Sequence, residues 1–376
     1  ERVTVEYLAL GRSGPPARLG LPRLNTHGLP RRFRAGPLRV AVMVPRSGSA
    51  GIWGPSCISC AQLAIAEINQ GSGIAGREVE PIYLDADDSA IDHTLEILKL
   101  LLEDGGVAAI VGMHVSSVRQ KLNTVLRGRI PYVYTPLYEG GEQAPGCYAI
   151  GETPAEQLAP AIARLSEMFG ARRWALVGND YVWPRVSHSL ARQYIALNGG
   201  QIVFEEYVPF GTEEPYELVE RMADNRPDAI LLSLVGQDAV EFNRVFGSMD
   251  LDRSMIRLST AIEENVLLAT GESGTKRLFG ASSYFAALRT AANMSFVERY
   301  HALHGGRGPV LNALGQSIYE GMHFLAALSE PTRESLAPLS YRSARGGLFL
   351  SNQQKQLPIY LARAEGHQFS VLERLA

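Results

Sequence analysis

Cysteine is scarce in this chain of 376 residues: Cys57, Cys60 and Cys147 are all it has. Three cysteines cannot form a disulfide framework, so stability has to come from an apolar core, and such usage favours a reducing compartment. No stretch reaches the roughly 18 consecutive apolar residues that a membrane-spanning helix needs. The N-terminal residues also show no apolar signal core. A charge surplus is missing as well. Thirty-six basic residues stand against 39 acidic ones, and the resulting −3 gives no ground for nucleic-acid binding by the globular part. Nor is there a GxxxxGK[ST] loop, a GxGxxG turn directly between a strand and a helix, or a GxSxG elbow. A nucleotide cofactor and a serine-hydrolase triad therefore have no anchor, and no cofactor is expected.

What is present is ordinary globular material, 46% hydrophobic and 20% charged, long enough for two or three compact units. Residues 1–36 differ from the rest. Seven arginines against two glutamates, mixed with Pro and Gly and without periodicity, read as a basic arm or linker and leave the remainder at −8. From Leu38 onward strand-like and helix-like segments alternate: LRVAVMVP, then apolar residues at helical spacing from Ser56 to Asn69, and so on through VAAIVG, IPYVYTP, RRWALVG, AILLSLVG, MIRLST and LFGASSYF. Strands alternating with helices of 10–17 residues imply βαβ units, hence parallel sheets covered on both faces. About five units precede residue 150 and about five follow. One sheet of ten strands would be unusually large, so the expected fold is α/β with two doubly wound parallel-sheet lobes.

Several motifs that could carry chemistry read better as structure. Cys57-Ile-Ser-Cys60 has redox or half-zinc spacing, but both thiols fall on an apolar helical stripe beside Ala61 and Ala64 and lack further ligands. His301 and His304 lie one turn apart at a helix end before Gly-Gly, where capping is the better account than a metal. The acidic run Asp85–Asp92 reads as a solvated loop capping the next helix. No metal site is expected.

A more informative group sits at the carboxyl ends of the expected strands, where open α/β sheets bind ligands. VAAIVG leads to His114, Ser116 and Ser117 at a helix start, which offers free N–H groups and a hydroxyl. IPYVYTP leads to Tyr134, Thr135, Tyr138 and Glu139; RRWALVG leads to Asp180, Tyr181 and Trp183. MIRLST ends at Ser259 and Thr260 before Glu263 and Glu264, and LFGASSYF carries Tyr284 and Phe285. Two aromatic-polar clusters on matching edges suggest a cleft between lobes.

The ordered set GREVEPIYLDADDSA, SSVR, YTPLYEGGE, GNDYVWPR and FEEYVPFG resembles the type I periplasmic-binding-protein superfamily over about residues 37–372, particularly the branch of the amide-sensing regulator of the aliphatic amidase operon and the urea-binding proteins of ABC transporters. The resemblance implies two lobes joined by three chain crossings: residues 37–151 with 283–328 in one, 152–282 with 329–376 in the other. It also implies a non-catalytic protein that closes on a small amide or urea, with Ser116, Tyr134, Tyr181 and Thr260 in the pocket. The regulator has Tyr at the positions of His114 and Trp183 and Thr at that of Pro136, departures that bear on which ligand fits. Its expected partners are a small-molecule ligand (amide, urea or amino acid) and either a regulatory protein or an ABC permease; a second copy, as a homodimer, is a further candidate. The alternatives are a branched-chain amino-acid carrier, with the helix start at Ser116 taking a carboxylate and Asp180 or Glu139 an ammonium, and an amidohydrolase using Ser116 or Glu139. The last lacks a placed base, lysine partner or metal set. The missing signal core favours a cytoplasmic location, and a trimmed N-terminus would restore a periplasmic or lipid-anchored one.

Overall fold

The computed structural model describes residues 36–329, 340–343, 345–350 and 354–376; the basic arm lies outside the described residues except for Gly36. The first strand, β1 (Leu38–Val44), has no polar alternation, and Val40 to Val44 are fully buried, as a strand covered on both faces requires. A 3-10 turn (Ser49–Trp53) leads into α1 (Gly54–Gln70). There follow β2 (Val79–Asp85), α2 (Ile91–Glu103), β3 (Ala109–Gly112), α3 (Ser116–Leu126), β4 (Tyr132–Tyr134) and β5 (Cys147–Ala149). These strands form one parallel sheet in the order β2-β1-β3-β4-β5.

The chain then crosses to a second sheet. There α4 (Pro154–Phe169) starts with a reciprocal cap between Thr153 and Glu156 and ends at Gly170 with φ 65°. Next come β6 (Arg173–Asn179), α5 (Val182–Leu197), β7 (Gln201–Val208), α6 (Pro215–Asp224), β8 (Ala229–Ser233), α7 (Gly236–Ser248), β9 (Ile256–Ser259), α8 (Glu264–Thr270) and β10 (Leu278–Ser282). A second crossing returns the chain as α9 (Ala291–His304) and α10 (Ala313–Ser329), and α10 packs on α1, β3 and β4. Beyond the undescribed residues a small antiparallel sheet forms from β11 (Ser340–Arg342), β12 (Leu348–Leu350) and β13 (Gln354–Gln356). The last strands, β14 (Tyr360–Glu365) and β15 (Gln368–Arg374), complete the second sheet in the order β15-β14-β10-β9-β8-β6-β7.

The two-lobed α/β fold is as expected, and three local features stand out. First, β14 runs antiparallel to β10 and β15 antiparallel to β14, so the second sheet is mixed. Only Gly366 and His367 separate β14 from β15, and so short a link can join strands only as a hairpin. Second, α5 starts at Val182 and holds Pro184 within its first turn, where its missing N–H leaves no bond unmade. Third, the acidic run does not cap α2, whose cap residue is Ala90 and makes no side-chain bond. Asp85 instead accepts the Arg46 N–H at 2.9 Å and the Ser47 hydroxyl at 2.7 Å, while Asp88 accepts the Ser117 hydroxyl at 2.8 Å. The run thus stitches together the loops after β1, β2 and β3.

Cys57 and Cys60 are fully buried in the core, where burial raises both thiols. His304 Nε2 lies 2.9 Å from the Ser59 carbonyl of α1, and His301 Nδ1 3.4 Å from the Gly305 carbonyl, so both histidines serve backbone contacts. Among the described residues no cluster of three or more side chains could hold a metal ion.

Candidate functional site

The carboxyl ends of both sheets face one another across a cleft, and the cleft is shut. Trp53 Nε1–H donates to Glu263 Oε2 at 3.0 Å, and Asn265 Nδ2–H to the Ile52 carbonyl at 3.0 Å. Ser49 makes two longer contacts, donating to the Val235 carbonyl at 3.4 Å and accepting the Asp238 N–H at 3.3 Å. The approach depends on Gly236, which has φ +57°: a Cβ there would stand 2.1 Å from the Ser49 carbonyl oxygen.

Between the lobes lies a cavity of about 30 Å³. The first lobe lines it with Trp53 from the turn after β1, His114 and Ser116 after β3, and Tyr134 with Pro136 after β4. The second contributes Tyr181 and Trp183 after β6, Val235 after β8, and Ala261 and Glu263 after β9. Each is placed by a strand end, which is why strand-end reasoning finds most of them.

The polar groups of this cavity are neutral or already engaged. Burial drives His114 down to about 3, so its ring is uncharged. Its Nε2 lies 3.0 Å from the Tyr132 hydroxyl and its Nδ1 3.2 Å from the Val115 carbonyl; the network assigns the proton to Nδ1. Tyr134 donates its hydroxyl to the His114 carbonyl at 2.8 Å, and Ser116 Oγ lies 3.4 Å from the same hydroxyl. Ser116 opens α3, whose first N–H groups have no helical acceptor. Arg119, one turn on, is unavailable to a ligand. Its Nη2 bonds Glu139 at 2.5 Å, its Nε lies 2.7 Å from Glu142, and the guanidinium sits 5.0 Å from the Tyr134 ring centre and 5.3 Å from that of Tyr138. Across the cleft, burial and then the neighbouring Glu264 hold the Glu263 carboxyl up at about 8, against the opposing pull of the Trp53 N–H. At neutral pH Glu263 is therefore an uncharged acid.

Of the residues singled out from sequence, the structure gathers His114, Ser116, Tyr134, Tyr181 and Trp183 on one cavity. Tyr181 packs against Phe210 with ring centres 5.1 Å apart and planes tilted by 37°. Thr260 and Thr135 line a smaller adjoining cavity of about 10 Å³ toward the crossings, where Thr135 Oγ1 lies 2.9 Å from Ser317 Oγ. Tyr138 is buried behind Tyr134, with ring centres 6.3 Å apart. Two residues stand elsewhere. Asp180 is half exposed and paired with Arg185 at 2.7 Å, and the Tyr284 hydroxyl is spent on Asn293 Oδ1 at 2.8 Å. Glu139, weighed as an ammonium partner or an enzymatic base, is held by Arg119. The hydroxyl of Ser116 has Tyr134 and Arg119 as its neighbours, neither of them a base.

Sequence reasoning missed Trp53 and left Glu263 as a bystander. It also missed the joint beneath the cleft. There the guanidinium of Arg345, almost wholly buried, bonds Glu320 of α10 at 2.8 Å, Glu152 of the first crossing at 3.4 Å, and the Ser283 hydroxyl of the second crossing at 2.9 Å. One cation from the third C-terminal passage thus fastens the other two.

Two α/β lobes, three crossings and a ligand-sized void between opposed strand ends define a hinged binding protein. The comparisons agree: the family model described as Periplasmic binding protein matches residues 37–367, and the chain belongs to that family. Solved structures share its fold. A solute-binding protein of an ABC transporter from R. palustris, in complex with benzoate, is 17% identical with TM-score 0.77, covering 91% of this chain and 97% of that one. The branched-chain amino acid transporter substrate-binding protein from Streptococcus pneumoniae, in complex with isoleucine, is 16% identical with TM-score 0.77, over 90% and 99%. An ABC transporter substrate-binding protein from Sphaerobacter thermophilus is 22% identical with TM-score 0.74, over 90% and 97%. Among the described residues no helix is long and apolar enough to cross a membrane.

Proposed function

We propose that this protein binds, without chemical conversion, a small uncharged polar molecule of the short-chain amide or urea type, and that lobe closure presents the loaded state to an ABC permease. The observation that carries this reading is the void itself. It holds about 30 Å³ and shares Val115 with a second interlobe cavity of about 230 Å³; the residues around it include a neutral imidazole, a neutral carboxyl, hydroxyls and indoles, with Arg119 locked in ion pairs behind them. A charged ligand would meet no free counter-charge there, and burying one unpaired is costly. Acetamide and urea have four heavy atoms each, so about 6 kcal/mol, a Kd of tens of micromolar, is the ceiling on their binding, and approaching it demands full enclosure, which closure supplies.

The transporter role rests on the family and on neighbours named as transporter components, and it favours the periplasm over the cytoplasm expected from sequence. A regulatory partner that reads closure is the alternative output. Benzoate and isoleucine, the ligands of two structural neighbours, are the competing classes, and both are larger and charged. A thermal-shift panel of acetamide, propionamide, urea, benzoate and isoleucine separates them. Ligand at a hundredfold over Kd stabilises by about 2.7 kcal/mol, a rise of several degrees. The amides and urea are expected to give that rise; a rise with benzoate or isoleucine alone overturns the assignment. Ammonia release from the amides would overturn the non-catalytic reading.

A further inference from the structure

The chain has three tryptophans; one indole N–H has an acceptor, and two are buried without one. Trp53 donates across the cleft to Glu263. Trp174 is fully buried in the second lobe's core, its N–H also without an acceptor, and it lines neither cavity between the lobes. Trp183 is 2% exposed, lines the interlobe cavity, and its Nε1–H is buried without an acceptor. An indole nitrogen is only a donor, so no rearrangement of its own protons can satisfy it. A buried donor without a partner is costly, and such a group on the wall of a binding cavity is paired when an acceptor arrives. Phe or Leu would fill the wall equally well without that cost.

We propose that Trp183 is the specificity-determining donor of the cleft: its indole N–H is held for an acceptor oxygen of the ligand, so the site selects molecules carrying a carbonyl-type oxygen at that wall. This deepens the functional reading above and rests on it. The opposite wall agrees, because Ser116 and the start of α3 add further donors within the same cavity. The wall is thus mainly apolar, with a few donor groups and no free cation, a combination that suits an amide oxygen better than an amine.

The test uses the whole chain with acetamide and thioacetamide as probes, since sulfur in place of the carbonyl oxygen keeps the shape and weakens the acceptor. Wild-type protein should bind acetamide at least tenfold more tightly than thioacetamide. Trp183→Phe, which keeps an aromatic wall, should lose about tenfold in acetamide affinity and bring the two probes together. In parallel, the indole ¹H–¹⁵N resonance of Trp183, assigned by its absence from the variant, should move downfield on saturation with acetamide while that of Trp174 stays put. That resonance remains decisive if the variant folds poorly. Acetamide binding that leaves the Trp183 resonance still, or that survives Trp183→Phe unchanged, overturns this proposal and leaves the functional reading standing. If neither amides nor urea raise the melting temperature, both fall together.

Discussion

Glu263 makes this protein's stability fall with rising pH over a range where most folds are indifferent. Its carboxyl is buried between lobes, next to Glu264, and titrates at about 8 in the folded chain against an ordinary 4.5. A raised acid binds its proton in the folded state while the unfolded chain has already released it. Its stabilising contribution is therefore complete below 4.5 and lost as pH climbs through 8. At 1.36 kcal/mol per pH unit, that gap amounts to about 5 kcal/mol for this one group. Glu264, raised to about 7 by burial, adds loss of the same sign. Glu263→Gln keeps an acceptor for the Trp53 indole but cannot ionise. Guanidinium unfolding at pH 5 should find wild type and variant within about 1 kcal/mol of each other. At pH 8.5 the variant should be the more stable by about 3–5 kcal/mol. Parallel stability profiles across pH 5–9 would refute the reasoning, because they would mean that Glu263 is solvated or ion-paired in the folded state.

Four further outcomes follow from other parts of the structure. Arg345→Met strands Glu320 and Glu152 in the interior and should cost about 3–5 kcal/mol; adding Glu320→Gln and Glu152→Gln should recover most of it, as read by chemical denaturation. Gly236→Ala puts a methyl group against the Ser49 carbonyl and should prevent full closure, so small-angle scattering should show an expanded particle and acetamide affinity should drop at least about tenfold. Tyr181→Ala removes a cavity wall packed against Phe210 and should abolish the ligand-induced thermal shift. His188, buried and lowered to about 4, is neutral in the fold yet protonates in the unfolded chain below its ordinary 6.5. The contribution of His188 should therefore fall as pH drops from 6.5 to 4, opposite in sign to that of Glu263, and His188→Gln should gain on wild type across that range in a pH series of denaturation curves.

The fold was legible in the sequence because its signals are local. A β-branched run such as Val40–Val44 or a capped segment such as Pro154–Phe169 declares its conformation within a dozen residues. Strand-end residues inherit their place from that rule, so His114, Ser116, Tyr134, Tyr181 and Trp183 could be named before any coordinates. The hairpin of β14 and β15 escaped because periodicity reports a strand but not its direction; only the two-residue link carried that information. Asp180 and Tyr284 stand apart from the cavity for a different reason. Lying near a strand end says nothing about whether a side chain's hydrogen bonds are already spent, and Arg185 and Asn293 had claimed these two.

The residues that shut the cleft were the least legible, and the cause is physical. Trp53 and Glu263 are 210 positions apart and belong to different lobes, so neither segment taken alone marks the other as a partner. In an open molecule nothing holds them together, and the Glu263 carboxyl would meet water and ionise near its ordinary value. Closing the lobes removes that water and puts an indole N–H beside the carboxyl, and protonation follows from burial. Closure and proton uptake are then linked: each proton Glu263 takes up on closing makes the closed state less accessible as pH rises. Ligand affinity should therefore weaken as pH rises from about 4.5 to about 8 and level off above it, even for a ligand that never titrates, such as acetamide, and Glu263→Gln should remove that dependence. Isothermal titration in two buffers of different ionisation enthalpy measures the uptake directly. A proton count of zero on binding at pH 8 would mean that Glu263 is already protonated in the open state, and the link between closure and charge would be lost.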